Sequence, residues 1–330
     1  MSLADKVQTE ADAYRYVEDL RWGGNPVCPH CGATDRISFL NPADGVSRKT
    51  RTGKPSERRV WFCGHCRKQF TALVGTIFHG TKVPLRKWLF VCYEMCANKN
   101  GIAAREIERK YEVSAKTAWY MTQRIREGVK RDPFASVMRG TVVADETWVG
   151  GTPRNKHRQG QIPGRTGGGF GKTGHATSKT PVLSLISEAT GEVRSVVVPR
   201  VDGSTLRKAI AEHVDMPNSI LHTDAAKHYR QMGREDFADH EYVDHSEWQY
   251  VRNEADGTFI STNPAEGYFS QLKRSIDGTH HKVSVEHLPR YLAEFDFRYS
   301  TRKLTDSART KRLFGQVGGR RLSYRPLTGG

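Results

Sequence analysis

Apolar residues along this chain recur in two different periods, and the change from one to the other outlines the fold. Residues 1–20 read as a short helix, with Ala11, Tyr14 and Val17 on one side. Pro84 opens a clearer helix over 84–98, in which Leu85, Trp88, Leu89, Cys92, Met95 and Cys96 repeat at helical spacing. That spacing makes Cys92 and Cys96 core residues. Gly101 begins a second pattern: a short helix over 102–110, a turn at Tyr111-Glu-Val, and a helix over 114–129 with Ala118, Met121 and Ile125 facing inward. The period then shortens. Residues 141–151, Thr-Val-Val-Ala-Asp-Glu-Thr-Trp-Val-Gly-Gly, read as a buried strand, and residues 180–187 and 192–199 as a hairpin joined through Ala-Thr-Gly. A helix over 204–214 and a strand over 219–223 ending at Asp224 follow. A helix over 263–273 has Asn263 placed as N-cap and Pro264 as first helical residue, and a last helix over 285–299 buries Leu288, Leu292 and Phe295.

A carboxylate inside an apolar strand is costly unless its charge is compensated. Asp145 is one such residue, and Asp224 and Glu266 stand at the edges of two later elements. The order is a strand with Asp, a hairpin, a helix, a strand ending in Asp, and a later helix carrying Glu. This is the order of an α/β, ribonuclease-H-like catalytic domain. There, parallel neighbouring strands set Asp145 beside Asp224. Three oxygen ligands favour a hard cation, Mg²⁺ or Mn²⁺. Two such ions about 3.5–4 Å apart suit an in-line phosphoryl displacement. Glu266 has a competing reading, because Asn263-x-x-Glu266 resembles a capping box in which the Glu only satisfies a backbone N–H. Against it, Glu266, Ser270 and Lys273 share one helical face, a carboxylate for metal and a lysine for phosphate.

Charge adds a partner. The 330 residues carry a formal net charge of +16 while 37% are hydrophobic, so a cored protein with a polyanionic partner is expected. Nucleic acid comes first and an acidic membrane surface second. No run reaches the roughly 18 apolar residues of a spanning helix, and the N-terminus has no apolar signal segment, so a cytoplasmic location is expected. Four of the six cysteines form two pairs, Cys28-Pro-His-Cys31 and Cys63-Gly-His-Cys66. Two facing knuckles give a tetrahedral zinc site. A redox dithiol is the alternative, against which the matched pairs argue. His30 and His65 lie within the knuckles and are not needed as ligands. A polar insert over 47–59 reads as a hairpin or loop. The helices over 102–129 outline a helix-turn-helix in which Lys116, Thr117, Tyr120, Gln123 and Arg124 can face a DNA groove; the plainer reading is a solvated basic face. Residues 150–180 form a Gly-rich basic loop. The phosphate-loop pattern it suggests fails at Thr166.

Taken in order, these motifs resemble the insertion-sequence transposases that carry an N-terminal zinc ribbon and a DDE catalytic domain. The matching residues are the two cysteine pairs, Pro84-Leu-Arg-Lys-Trp88, Lys116-Thr-Ala-Trp119, Asp145-Glu-Thr-Trp-Val-Gly-Gly151, His222-Thr-Asp224, His245-Ser246, Asn263-x-x-Glu266-Gly-x-Phe-Ser-x-Leu-Lys-Arg274 and Glu294-Phe-x-Phe-Arg298. The resemblance implies a Mg²⁺-dependent enzyme that cleaves transposon ends and joins the freed 3′-hydroxyl to target DNA. It would act as a homo-oligomer on DNA, in a prokaryotic, nucleoid-associated setting and away from membranes. It makes Asp145, Asp224 and Glu266 the catalytic metal ligands and Lys273 and Arg274 DNA contacts. Because some relatives carry Asn in place of the third acid, Asn263 is a possible catalytic residue. The implied domains are an N-terminal helix (1–20), a ribbon with an inserted loop (21–72), a helix-turn-helix-like domain (73–131), the catalytic domain (139–300) and a basic tail (301–330). Two other functions compete: a non-catalytic DNA-binding regulator, and a nuclease that cuts without joining.

Overall fold

The computed structural model describes residues 3–40, 48–49, 52–53, 55–130, 136–150, 179–247, 249, 251–253 and 259–324. The expected basic loop at 151–178 lies outside the described residues. The chain divides into two compact units, 1–130 with 301–330, and 131–300.

The first unit opens with α1 (Leu3–Lys6) and α2 (Glu10–Trp22). Thr9 and Asp12 form a reciprocal capping box at the start of α2, and Gly23, at φ 56°, ends it in the left-handed conformation that glycine adopts without strain. Five short strands follow: β1 (Ile37–Phe39), β2 (Arg48–Lys49), β3 (Pro55–Ser56), β4 (Trp61–Cys63) and β5 (Gln69–Phe70). β1, β4 and β5 make one antiparallel sheet, and β2 and β3 form a separate hairpin within the insert. The buried carboxylate of Glu18 ties α2 to this sheet, accepting from Arg59 Nε at 2.7 Å and Trp61 Nε1 at 2.8 Å. Helices α3 (Leu85–Ala97), α4 (Ala104–Tyr111) and α5 (Ala115–Gly128) lie close to their expected positions. Pro84 has no side chain to cap α3. Glu10 of α2 does so instead, accepting from the backbone N–H of Leu85 at 2.5 Å and of Arg86 at 3.0 Å.

The second unit contains β6 (Met138–Val149), β7 (Thr180–Ser187), β8 (Val193–Val197), α6 (Gly203–Ala211), β9 (Val214–Asp224), α7 (Lys227–Asp236), β10 (Asp239–Val243), β11 (Val251–Asn253), β12 (Phe259–Ser261), α8 (Asn263–Ser275) and α9 (Leu288–Ser300). A mixed five-stranded sheet has the order β10-β9-β6-β7-β8. β6 is antiparallel to β7 and parallel to β9, which is parallel to β10. Alternation along β6 sorts its side chains between two cores. Val142 and Ala144 pack with Leu206 and Ile210 of α6 and Tyr229 and Met232 of α7. Val143 and Val149 pack with Ala265, Phe269 and Leu272 of α8 and Leu292 and Phe295 of α9.

The basic tail expected from 301 onward is corrected by a helix, α10 (Asp306–Gln316), which belongs to the first unit. Leu313 and Phe314 are buried, and Thr305 caps its start. Arg309, counted in the sequence as a tail charge, is buried and donates to the carbonyls of Cys96 (2.7 Å), Thr301 (3.2 Å) and Leu304 (3.3 Å). Among the described residues, no helix is long and apolar enough to cross a membrane.

Candidate functional site

The cysteine knuckles meet as expected. Cys28 and Cys31 stand on the segment before β1, Cys63 ends β4, and Cys66 lies on the turn that links β4 to β5. Cys28 Sγ lies 3.6 Å from Cys66 Sγ and Cys31 Sγ 3.7 Å from Cys63 Sγ, and all four sulphurs lie within 4.8 Å of one another. A tetrahedron with Zn–S bonds of about 2.3 Å has edges of about 3.8 Å, so the sulphurs already match zinc. Backbone N–H groups of Cys66 and His65 hold the Cys63 thiol down at about 7, favouring the thiolate a metal needs. His65 Nε2 turns outward to Asp35 Oδ1 at 2.9 Å, in keeping with a four-cysteine ligand set.

The carboxylates come together less closely. Parallel pairing sets Val143 opposite His222, so two residues further on Asp145 and Asp224 stand at the same level and point to the same face. That face carries α8. Burial pushes the Asp145 carboxyl up to about 7, and the negative charges of Glu146, Asp224 and Glu266 add to this; the N–H of Glu146, at 2.7 Å, pulls the other way. The three residues therefore share one electrostatic field. Their oxygens do not gather to the 4.8 Å spacing of the cysteine cluster. A hard divalent cation fits this donor set, because its charge would offset the burial and the neighbouring negative charges that hold Asp145 up.

Helix α8 bears on the capping reading of Glu266. Thr262, not Asn263, is the N-cap; Asn263 occupies the first helical position and Pro264 the second. No side chain caps this helix, so the Asn263–Glu266 capping box does not form. Glu266, Ser270 and Lys273 are all exposed on one face, and Arg274 is exposed beside them, its Nε donating to the Ser270 carbonyl at 3.1 Å. Asn263 is exposed one turn before Glu266.

In the first unit, the expected groove-facing residues of α5 divide. Lys116 is exposed and Thr117 half-buried. Gln123 and Arg124 are buried, and Arg124 donates to the His79 carbonyl at 2.7 Å. Tyr120 donates to the Leu322 carbonyl at 2.7 Å, and Tyr324 stacks edge-on against Trp119 and Tyr120 with Lys116 Nζ 4.4 Å from its ring centre. Residues 317–324 thus cover a face that helical periodicity alone leaves open.

The structure adds two residues to the site. His245 lies on a short turn after β10, with Nε2 3.1 Å from Thr262 Oγ1 and Nδ1 3.8 Å from Glu266 Oε1. The His245-Ser246 pair was its signal in the sequence. Glu146 adjoins Asp145 but points to the opposite face of β6, where the Tyr229 hydroxyl donates to it and His228 Nε2 lies 3.3 Å away. Only its place within the Asp145-Glu-Thr-Trp motif marked it.

Two family models match this chain: the ISXO2-like transposase domain over residues 137–300 and the transposase zinc-ribbon domain over residues 8–69. The chain belongs to this family of insertion-sequence transposases, with an N-terminal zinc ribbon and a DDE domain. It is similar to an uncharacterized protein in transposable element ISH50 of Halobacterium salinarum, with 25% identity over 290 residues, 88% of this chain and 90% of that protein. It is also similar to a chain in a cryo-EM structure of the simian T-cell lymphotropic virus intasome in complex with PP2A regulatory subunit B56 gamma. That likeness has a TM-score of 0.28 and 11% identity; it covers 62% of this chain and 64% of the other, under two thirds of its length, and carries no argument. The matched ribbon and the spacing of the four cysteine sulphurs support zinc as a cofactor.

Proposed function

We propose that this transposase cleaves the ends of its element and joins the freed 3′-hydroxyl to target DNA, using Asp145, Asp224 and Glu266 as one cation site. The observation that carries the reading is the register of two parallel strands. It sets Asp145 and Asp224 level on the face of the sheet that carries α8, and α8 supplies Glu266. The strand order, with the antiparallel β7–β8 hairpin on one side of β6 and the parallel β9 and β10 on the other, supports a ribonuclease-H-like fold. Magnesium or manganese held there supplies Lewis-acid stabilisation of the attacking and leaving oxygens. The chain's own residues do the rest. Asp145, within β6, and Asp224, at the end of β9, supply two carboxylates from neighbouring parallel strands. Glu266 approaches from a helix, and Lys273, two turns further along the same exposed face, meets backbone phosphate.

DNA reaches the protein through the net positive charge and through the first unit. The three helices α3, α4 and α5, with the turn through Glu112 in the left-handed region at φ 51°, support a helix-turn-helix reading. The part of α5 open to a groove is its first turn, with Lys116 and Thr117.

The test is a cleavage and strand-transfer assay on DNA carrying the element's own ends. Products of both steps that depend on Mg²⁺ or Mn²⁺ support the reading. Cleavage without joining would make the protein a nuclease, and DNA binding without either a regulator.

A further inference from the structure

Glu146 is a buried carboxylate that the proposed chemistry does not use. Its side chain is 6% exposed, next in sequence to Asp145 but on the opposite face of β6. A carboxylate there is tolerated only if bonded, and α7 supplies the bond: the Tyr229 hydroxyl donates to Glu146, while His228 Nε2 lies 3.3 Å away without a hydrogen bond. Tyr229 is fully buried against Val142, Ala144 and Leu221, so its hydroxyl has a fixed place.

The position of α7 gives this contact its meaning. The helix begins at Lys227, three residues after Asp224, and the Ala226 N–H between them donates to Asp224 Oδ1 at 3.1 Å. The chain therefore leaves Asp224 and turns at once into the helix that holds Glu146. On β6, the residue that holds α7 is bonded directly to the residue that carries the other carboxylate. The sheet register sets Asp145 and Asp224 level, but pairing between β6 and β9 is recorded only as far as Val143 and His222. Beyond that point both strands run on to their carboxylates.

From these contacts we infer that the Tyr229–Glu146 hydrogen bond is a clamp that sets the spacing of Asp145 and Asp224 where the ladder between their strands stops. Glu146 is a positioning residue: it acts through Asp145 and Asp224 and touches neither DNA nor cation. The inference rests on the proposed cation site. Groups behind metal ligands commonly change metal affinity by 10–100-fold when removed, and a clamp of this kind belongs to that class.

Substitutions separate position from charge. Glu146→Gln keeps a carbonyl oxygen for the Tyr229 hydroxyl and removes only the charge. Glu146→Ala and Tyr229→Phe remove the bond, the second with almost no change in packing. Mn²⁺ binding to the full-length protein is measured by electron paramagnetic resonance, with DNA binding and the thermal melt of each variant alongside. Glu146→Ala and Tyr229→Phe are expected to weaken Mn²⁺ binding on the order of tenfold. Glu146→Gln is expected to stay within about twofold of wild type, and DNA affinity is expected to be unchanged in all three. Asp145→Asn is the reference and is expected to lose the site. If Asp145→Asn loses Mn²⁺ while Tyr229→Phe binds it like wild type, the clamp is overturned and the cation site stands. If Glu146→Gln is as damaged as Glu146→Ala, charge rather than position is at work, and the clamp is again overturned. If Asp145→Asn binds Mn²⁺ like wild type, the cation site fails and the clamp with it.

Discussion

The cysteine knuckles and the carboxylates of the proposed cation site are both candidate metal-ligand sets, and the protein builds them in opposite ways. Each knuckle is local: a Cys-x-x-Cys turn places two sulphurs, and the short β1-β4-β5 sheet brings the two turns together. The four sulphurs stand within 4.8 Å of one another, enough donors to fill a structural zinc's four positions. The carboxylates come from two strands and a helix far apart in sequence, and their oxygens are spread more widely. A burial-raised Asp145 marks the centre of their field. A structural site gains from being closed, whereas a site for phosphoryl transfer must stay open to substrate and balance its charge with cations and phosphate. The difference teaches that ligand residues with local spacing give a finished site, and ligands gathered by topology give one whose geometry depends on supporting contacts such as the Glu146 clamp.

The largest effect is expected at the closed site. Replacing Cys28 and Cys63 together by Ser should abolish bound zinc, about one ion per chain in wild type, and unfold the ribbon. Metal analysis with circular dichroism checks this, and native folding of the double variant would break the contrast. The open site should respond in activity rather than fold. Glu266→Gln should abolish Mg²⁺-dependent cleavage yet shift stability by no more than about 0.5 kcal/mol, because the exposed side chain closes no capping box. Asn263→Asp should retain substantial activity. An active Glu266→Gln beside a dead but folded Asn263→Ala would move the third ligand to Asn263.

Two smaller effects sharpen the comparison. DNA affinity should fall steeply with salt, through release of phosphate counterions, and equally for wild type and Asp145→Asn. Fluorescence anisotropy across a salt series reads this, and salt-independent binding would count against phosphate contacts. The second concerns Asp296, which is half-buried and accepts from Ser195 N at 2.8 Å, Ser195 Oγ at 2.7 Å and the Tyr268 hydroxyl at 2.6 Å. Burial pushes its carboxyl up to about 7, against these hydrogen bonds and with a small push from Glu192. An unfolded Asp titrates near 3.9, so the fold favours the protonated form. That stability is complete below about pH 4 and is lost as pH rises toward 7. Asp296→Asn should flatten this dependence, as urea melts at pH 5 and pH 8 would show; an unaltered pH slope would contradict it.

Much of this was legible in the sequence, and the exceptions share a cause. The cysteine pairs are local patterns, and the strand at 141–151 and the hairpin after it are read from period and turn chemistry. The parallel pairing of β6 with β9, the strands that carry Asp145 and Asp224, followed from element order. Periodicity could not show what covers an exposed-looking face. Gln123 and Arg124 lie on the polar side of α5, yet they are buried, and residues 317–324 lie across Tyr120 nearby. Arg309 looks like tail charge but closes helix carbonyls. Asn263 looks like an N-cap, but the chain enters α8 one residue earlier. In each case a long-range contact overrides a rule based on near neighbours, and a single sequence carries little trace of it.

The central claim is that one carboxylate site serves both cutting and joining, and the joining step alone tests it most directly. A pre-cleaved transposon end, with its 3′-hydroxyl already free, removes any need for cutting. Wild-type protein with Mg²⁺ should join this end to target DNA. Asp145→Asn, folded and binding the same end with wild-type affinity, should give no joined product. Joining by Asp145→Asn at the wild-type rate would show that strand transfer does not use this site, and the account would be wrong at its centre.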